Sequence, residues 1–291
     1  MGSRPSRGQA GDAVELLTNP ALARLHPTGD HPERQERLLS VGGETVLRSA
    51  TVEQLARVHE PAYLELLEAI DGPVQLDADT VASQSSWDAA TLAAGIALEA
   101  VDRSGFALVR PPGHHALAAR AMGFCLLNNV AVAARYAQAE LGLGRLAIVD
   151  FDVHHGNGTE ALFRNDDSVL FISLHQWPFW PGTGGPGTSD ETTINVPLPA
   201  GSGDEDYRAA FTATVEPAVG SFAPDLLLVS AGFDAHLEDP LAEMRVSEAG
   251  FRELARRCAA LAPRTAAVLE GGYNLRTLPA LVAAAREGFA S

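Results

Sequence analysis

Five short apolar runs, each followed by a polar or glycine-rich turn and then an alanine-rich amphipathic stretch, leave this chain few architectures to choose from. The runs are Ala107–Val109, Leu146–Val149, Val169–Ile172, Leu226–Val229 and Ala266–Leu269. Each is apolar throughout instead of alternating, as expected of strands covered on both faces. The amphipathic segments are Asp88–Asp102, Leu126–Leu141, Glu205–Gly220, Ser247–Leu261 and Leu278–Phe289. Strand and helix in alternation predict an α/β fold of three layers, α/β/α, with a central, mostly parallel sheet. With no internal repeat or long linker, one domain over residues 13–291 is expected, preceded by a flexible lead at residues 1–12.

Hydrophobic residues make up 46% of the chain and charged residues 20%, enough for a sizeable core and too apolar for wholesale disorder. No apolar run approaches the ~20 residues of a membrane span, so no membrane association is expected. Two cysteines, Cys125 and Cys258, cannot build a disulfide framework, which suits a reducing cytoplasm. The net charge of −16 argues against a nucleic-acid partner, whose phosphates need clustered Lys and Arg. It is compatible with cationic partners such as lysine-rich peptides or polyamines, and equally with an acidic surface kept only for solubility.

In open parallel sheets, ligands bind beyond the carboxyl ends of the strands. Here those ends carry "RPPGHHA" (Arg110–Ala116), "DFDVHHGNG" (Asp150–Gly158), "SLH" (Ser173–His175), "SAGFDAH" (Ser230–His236) and "EGGYN" (Glu270–Asn274). In an extended segment Asp150, Asp152 and His154 fall on one side, and Asp234 can add a further oxygen from another strand end. Asp, His and Asp around one ion leave a fourth position open, the pattern of a catalytic zinc.

His114 and His115 follow two prolines that stiffen the backbone, and can act as further ligands or as an acid–base pair. Asp150 and Asn157 are natural partners for them. A histidine bonded to aspartate stays cationic more readily, whereas one bonded to asparagine keeps a lower pKa and can act as a base. Tyr273, behind two glycines, can donate to a developing oxyanion. Trp177, Phe179 and Trp180, together with Phe124, can wall a narrow apolar channel, although at least one of them reads better as an anchor for its long Pro/Gly loop.

Taken together, "HPER" (His31–Arg34), "RPPGHHA", "GFCLLNN" (Gly123–Asn129), "VDFDVHHGNGT", "SLHQ…PGTG", "SAGFDAH…DPL" and "EGGYN" resemble the histone deacetylase superfamily, with its arginase-like deacetylase fold. Asn157, where class I enzymes typically carry aspartate, makes the chain similar to class II enzymes and their bacterial relatives, including acetoin-utilisation-type proteins and acetylpolyamine amidohydrolases. The resemblance implies one catalytic Zn2+ on Asp152, His154 and Asp234. It pairs His114 with Asp150 as an electrostatic histidine, makes His115 beside Asn157 the general base, and has Tyr273 polarise the carbonyl. It also implies a structural K+ held by Asp150, Asp152, His154, Ser173 and the Leu174 backbone. Phe124 and Trp180 would flank an acyl-lysine channel, and tryptophan in place of the usual Phe or Tyr is expected to narrow it or alter acyl preference.

The implied activity is zinc-dependent deacetylation of N-ε-acetyl-lysine in a peptide or protein. Leu241 stands where polyamine-specific relatives carry an acidic gatekeeper, and no long entrance-narrowing insertion is present; both favour acyl-lysine over acetylpolyamine. Asp79 loosely matches a rim position that grips the substrate backbone, and reads equally well as a turn aspartate. A catalytically silent acyl-lysine binder would need a broken ligand set. A two-metal ureohydrolase would need an aspartate two residues after Asp234, where this chain has His236. Oligomeric state is not legible.

Overall fold

The computed structural model describes residues 13–291, so the expected flexible lead at 1–12 lies outside the described residues. Among the described residues ten strands are formed: β1 (Leu16–Thr18), β2 (Glu44–Thr45), β3 (Val74–Gln75), β4 (Val81–Ala82), β5 (Phe106–Ala107), β6 (Leu146–Asp150), β7 (Val169–Gln176), β8 (Thr193–Leu198), β9 (Leu226–Ala231) and β10 (Thr265–Leu269). Eight of them make one parallel sheet in the order β2-β1-β5-β10-β9-β6-β7-β8, while β3 and β4 form a separate antiparallel hairpin. The expected mostly parallel α/β architecture is therefore observed.

The five strands foreseen from sequence are contiguous at the centre of the sheet. The flanking strands, β2 and β1 on one side and β8 on the other, were not foreseen. β1 and β2 are two or three residues long, and Pro197 within β8 reads against a strand because it cannot donate to a ladder.

The main helices are α1 (Glu36–Leu39), α2 (Val52–Leu55), α3 (Pro61–Glu68), α4 (Ser86–Arg103), α5 (Asn129–Leu141), α6 (Asn157–Phe163), α7 (Asp204–Ala210), α8 (Glu216–Phe222), α9 (Glu248–Ala259) and α10 (Leu278–Phe289). α5 starts later than the expected Leu126 because Asn128 caps it, its side chain accepting the Ala131 amide at 3.0 Å. The expected single helix Glu205–Gly220 is instead α7 and α8 joined by a π-helical turn, Phe211–Val215. Pro217 lacks the N–H that a continuous α-helix would need there, and the wider turn accommodates it.

Right-handed crossovers put helices on opposite faces according to which way the chain steps along the sheet. The chain steps one way from β5 to β6 and β7, and the other way from β9 to β10. α4 and α5 accordingly pack together on one face, and α9 and α10 together on the other. β6 and β9 are neighbours whose following loops diverge to the two faces, so a crevice opens between their carboxyl ends. No helix among the described residues is long and apolar enough to cross a membrane.

His59 shows how tightly polar groups are used beneath this surface. Its Nε2 accepts the Asn128 amide at 2.9 Å, so Nδ1 must carry the proton and donate to the Leu117 carbonyl at 3.0 Å. Burial lowers its pKa to about 4, against the pull of that carbonyl, and burial likewise lowers His26 to about 4. Both are therefore neutral when folded. Their contribution is complete above the unfolded value near 6.5 and is lost as pH falls towards 4, by up to about 3 kcal/mol each. Urea-unfolding free energy should thus drop between pH 7 and 4.5. His59→Gln, which can make the same two bonds without titrating, should flatten that slope; an unchanged slope would contradict the assignment.

Candidate active site and metal centre

β6 ends at Asp150, so the extended alternation expected to aim Asp150, Asp152 and His154 to one side stops there. Asp152 and His154, in the loop that follows, meet Asp234 from the loop after β9, with candidate ligand atoms all within 4.8 Å of one another. Asp150 turns instead to His114, its Oδ2 accepting from Nδ1 at 3.0 Å.

The two carboxylates of the cluster are fully buried and oriented by backbone amides. Gly271 donates to Asp152 Oδ2 at 2.7 Å, His154 to Asp152 Oδ1 at 3.0 Å, and Val153 to Asp234 Oδ1 at 2.9 Å. A Cβ at Gly271 would strike both carboxylates, and one at Gly232 would strike Asp152, so only glycine lets the chain pass this close. His154 Nδ1 lies 3.0 Å from Asp234 Oδ2 and 3.2 Å from Asp152 Oδ1. Burial opposes a charge on His154, yet its bonds to Asp152 and Asp234 outweigh it and push its pKa up to about 10. The cluster thus demands positive charge at its centre. Two oxygens and one nitrogen, enclosed and fixed by their neighbours, fit a zinc ion.

His114 and His115 are adjacent, buried, and oppositely tuned. Burial alone would depress His114, but Asp152 and Asp150 outweigh it and raise it to about 10. His115 Nδ1 donates to Asn157 Oδ1 at 2.7 Å, leaving Nε2 with a free lone pair. Burial, with His114 and His154 beside it, holds His115 well below the usual imidazole value.

Above the cluster is a cavity of about 170 Å³ lined by Asp79, His115, Gly123, Phe124, His154, Phe179, Trp180, Leu241 and Tyr273. The Trp180 ring stands edge-on to His115 at 4.7 Å, and Phe179 stacks on His154 at 5.3 Å. Phe124 stands edge-on to Tyr273 at 5.7 Å. Trp177 does not line the cavity; it packs beneath Gly185 as an anchor of the long loop. Asp79 borders the cavity, and its amide is tied to Asp77 Oδ1 in a turn. Ser173 lies beside Asp150 in the β6–β7 register and bonds to His175, with Leu174 buried next to it. His155 bonds to Thr183 and Glu160, a structural role.

Several supporting residues escaped sequence reasoning. Asp239 accepts the Tyr273 amide at 2.7 Å and the Leu241 amide at 3.0 Å, fixing both positions at once. His31 donates to the Asp79 carbonyl at 3.0 Å and packs edge-on against Phe124 at 4.4 Å. Glu33, Arg37, Arg110 and Glu270 lie behind the site, fully buried. The signal was present in "HPER", "DPL" and "EGGYN", but nothing local says what a buried charge there would hold.

A family model described as "Histone deacetylase domain" matches residues 22–289. The histone deacetylase-like amidohydrolase of Pseudomonas aeruginosa is 40% identical over 286 residues, 89% of this chain and 75% of that protein. The polyamine deacetylase HDAC10 of Homo sapiens is 41% identical over 89% of this chain, which spans 41% of that protein. A structure titled "Crystal Structure of HDA15 HD domain" superposes with a TM-score of 0.90 at 35% identity, covering 96% of this chain and 90% of that one.

Zinc added to metal-free protein should bind at about one equivalent with release of protons, because the ligands must deprotonate. A pH indicator in weak buffer reads this directly. Asp234→Ala should abolish tight binding while leaving the far-ultraviolet circular dichroism intact. Uptake without proton release, or tight binding in that variant, would contradict the ligand set.

Proposed function

The chain belongs to the histone deacetylase family, and from that premise we propose that residues 13–291 act as one catalytic domain, a zinc-dependent amidohydrolase. Its reaction would cleave the amide of N-ε-acetyl-lysine in a peptide or protein to acetate and the free amine. The observation that carries this reading is the unequal tuning of two neighbouring histidines beside a buried Asp-His-Asp cluster at the foot of a narrow aromatic cavity.

Asp152, His154 and Asp234 would hold the zinc, which when bound supplies a Lewis acid for water and for the amide carbonyl. His115, kept neutral by burial and the neighbouring histidines and oriented by Asn157, takes a proton from the attacking water at Nε2 and later delivers it to the amine nitrogen as the C–N bond breaks. His114, cationic on Asp150, contributes a fixed positive charge close to the developing oxyanion. The Tyr273 phenol donates a hydrogen bond to that oxyanion. Phe124 and Trp180 flank the aliphatic stem of the lysine, and Asp79 offers a carboxylate at the rim. A potassium ion on Asp150, Asp152, His154, Ser173 and the Leu174 carbonyl would steady the strand ends; the pairing of Asp150 with Ser173 supports it. Two free, buried cysteines suit a reducing cytoplasm.

Acetylpolyamine is the second substrate reading, because a relative named as a polyamine deacetylase is 41% identical. Leu241 argues against it here. That side chain is apolar and borders the cavity, while nearby Glu238 is paired with Arg276 and Glu243 with Gln176.

Amine release from zinc-loaded protein on a panel of acyl-lysine peptides and acetylpolyamines tests the reading. Peptides should be the better substrates by kcat/KM; the reverse order would overturn the peptide assignment, and turnover of neither would overturn the enzyme. Tyr273→Phe should lose about 2–4 kcal/mol of transition-state stabilisation at unchanged zinc content. Asn157→Asp should raise the pKa of His115. Since the base must be neutral, the acid limb of the kcat/KM profile should then move to higher pH. An unmoved limb would remove His115 from the role of base.

A further inference from the structure

Behind the cavity, buried Glu33 of the "HPER" motif and Arg37 four residues on take no part in the reaction above, yet between them they touch both loops that carry it. The β5–β10 ladder, whose strands deliver the histidine loop and the tyrosine loop, ends at the pair Ala107–Val268. Beyond that point the sheet does nothing to fix the two loops relative to each other, and His114, His115 and Tyr273 all lie beyond it.

Glu33 bridges the gap. Its Oε1 accepts from Arg110 Nε at 2.9 Å and from Arg37 Nη1 at 3.3 Å, and its Oε2 accepts from Arg110 Nη2 at 2.9 Å. Arg110 begins the histidine loop, and its remaining N–H groups go to the carbonyls of Leu22, Leu25 and His26, so all five donors are used. Arg37 reaches the tyrosine loop. Its Nε donates to the Gly272 carbonyl at 2.8 Å, Nη2 donates to the Glu270 carbonyl, and the guanidinium lies 4.9 Å from the centre of the Tyr273 ring. The Glu270 side chain then returns to the histidine loop, Oε2 accepting the Gly113 amide at 2.6 Å and the His114 amide at 3.1 Å. The circuit closes: Glu33, Arg110, the histidine loop, Glu270, Arg37, Glu33.

We propose that Glu33 and Glu270 are positioning residues that set the spacing between Tyr273 and the histidine pair. This role rests on the hydrolytic reading of the site. Charge-assisted bonds in a dry interior are short and stiff, and every link in the ring is fully buried. Sub-ångström slack between an oxyanion donor and a general base is expensive in rate. A purely structural ion-pair cluster would instead stabilise the whole fold with no bias towards these two loops.

The test uses Glu33→Gln, whose amide N–H faces a guanidinium and breaks the two-pronged contact. Peptide-resolved amide hydrogen exchange should accelerate by about tenfold at residues 110–116 and 270–275, while residues 146–150 and 226–231 stay protected. Zinc content should be unchanged, and kcat on an acetyl-lysine peptide should fall by about 10–100-fold with KM held within about threefold. Exchange that is unaltered in both loops, or accelerated evenly along the chain, would overturn the proposal. If wild-type protein hydrolyses no acyl-lysine substrate, the hydrolytic reading fails, and the exchange pattern still decides whether Glu33 couples the loops. Should Glu33→Gln fail to fold, Arg37→Lys, which can reach only one carbonyl, should loosen 270–275 and spare 110–116; unchanged exchange at 270–275 would equally overturn the coupling.

Discussion

Asp152 and Asp234 face each other, fully buried, at the crevice where β6 and β9 send their loops to opposite faces. Two carboxylates in a low-dielectric interior repel each other and lose their hydration, so the site tolerates them only around positive charge. Much of the surrounding structure follows from meeting that demand. Backbone amides of Val153, His154 and Gly271 hold the carboxylates with their charge focused inward. Glycines at 232 and 271 let the chain approach where any side chain would collide. His154 answers with an imidazole pushed up to about 10, a proton standing where a divalent cation fits.

The same field reaches the two histidines and acts on them with opposite results. His114 and His115 are sequence neighbours with ring centres 3.9 Å apart, and both are buried. Asp152 and Asp150 outweigh burial at His114 and raise it, whereas burial with His114 and His154 lowers His115, whose Nδ1 meets only the neutral Asn157 oxygen. The held cation then helps to keep its neighbour neutral. A cationic and a neutral imidazole thus stand side by side at the cluster.

Most of this was legible because it is local. Five apolar runs predicted the five central strands, and the polar residues after each run predicted where the site would gather. Legibility failed where a long-range effect overrode a local one. β8 was hidden by Pro197, which sits on an edge strand where a missing donor is harmless. The helix after β8 broke into two at Pro217. The alternation in "DFDVHH" is not a strand alternation, because β6 stops at Asp150 and Asp152 and His154 stand in the loop that follows.

The residues behind the site were invisible for a different reason. Arg37, Glu33 and Arg110 are far apart in sequence from Gly272 and Glu270, and each reads alone as an ordinary surface charge. A buried charge of this kind is stable only in company: Glu33 is held down to about 2 because Arg110 and Arg37 overcome the penalty of burial. Every member therefore presupposes the others, and none can be inferred until the sheet has brought β5 and β10 side by side. Chemistry that acts on substrate sits in short motifs, because one loop must present it. The geometry between loops has no local signature, and here the contacts that link them run through four buried side chains from separate stretches of the chain.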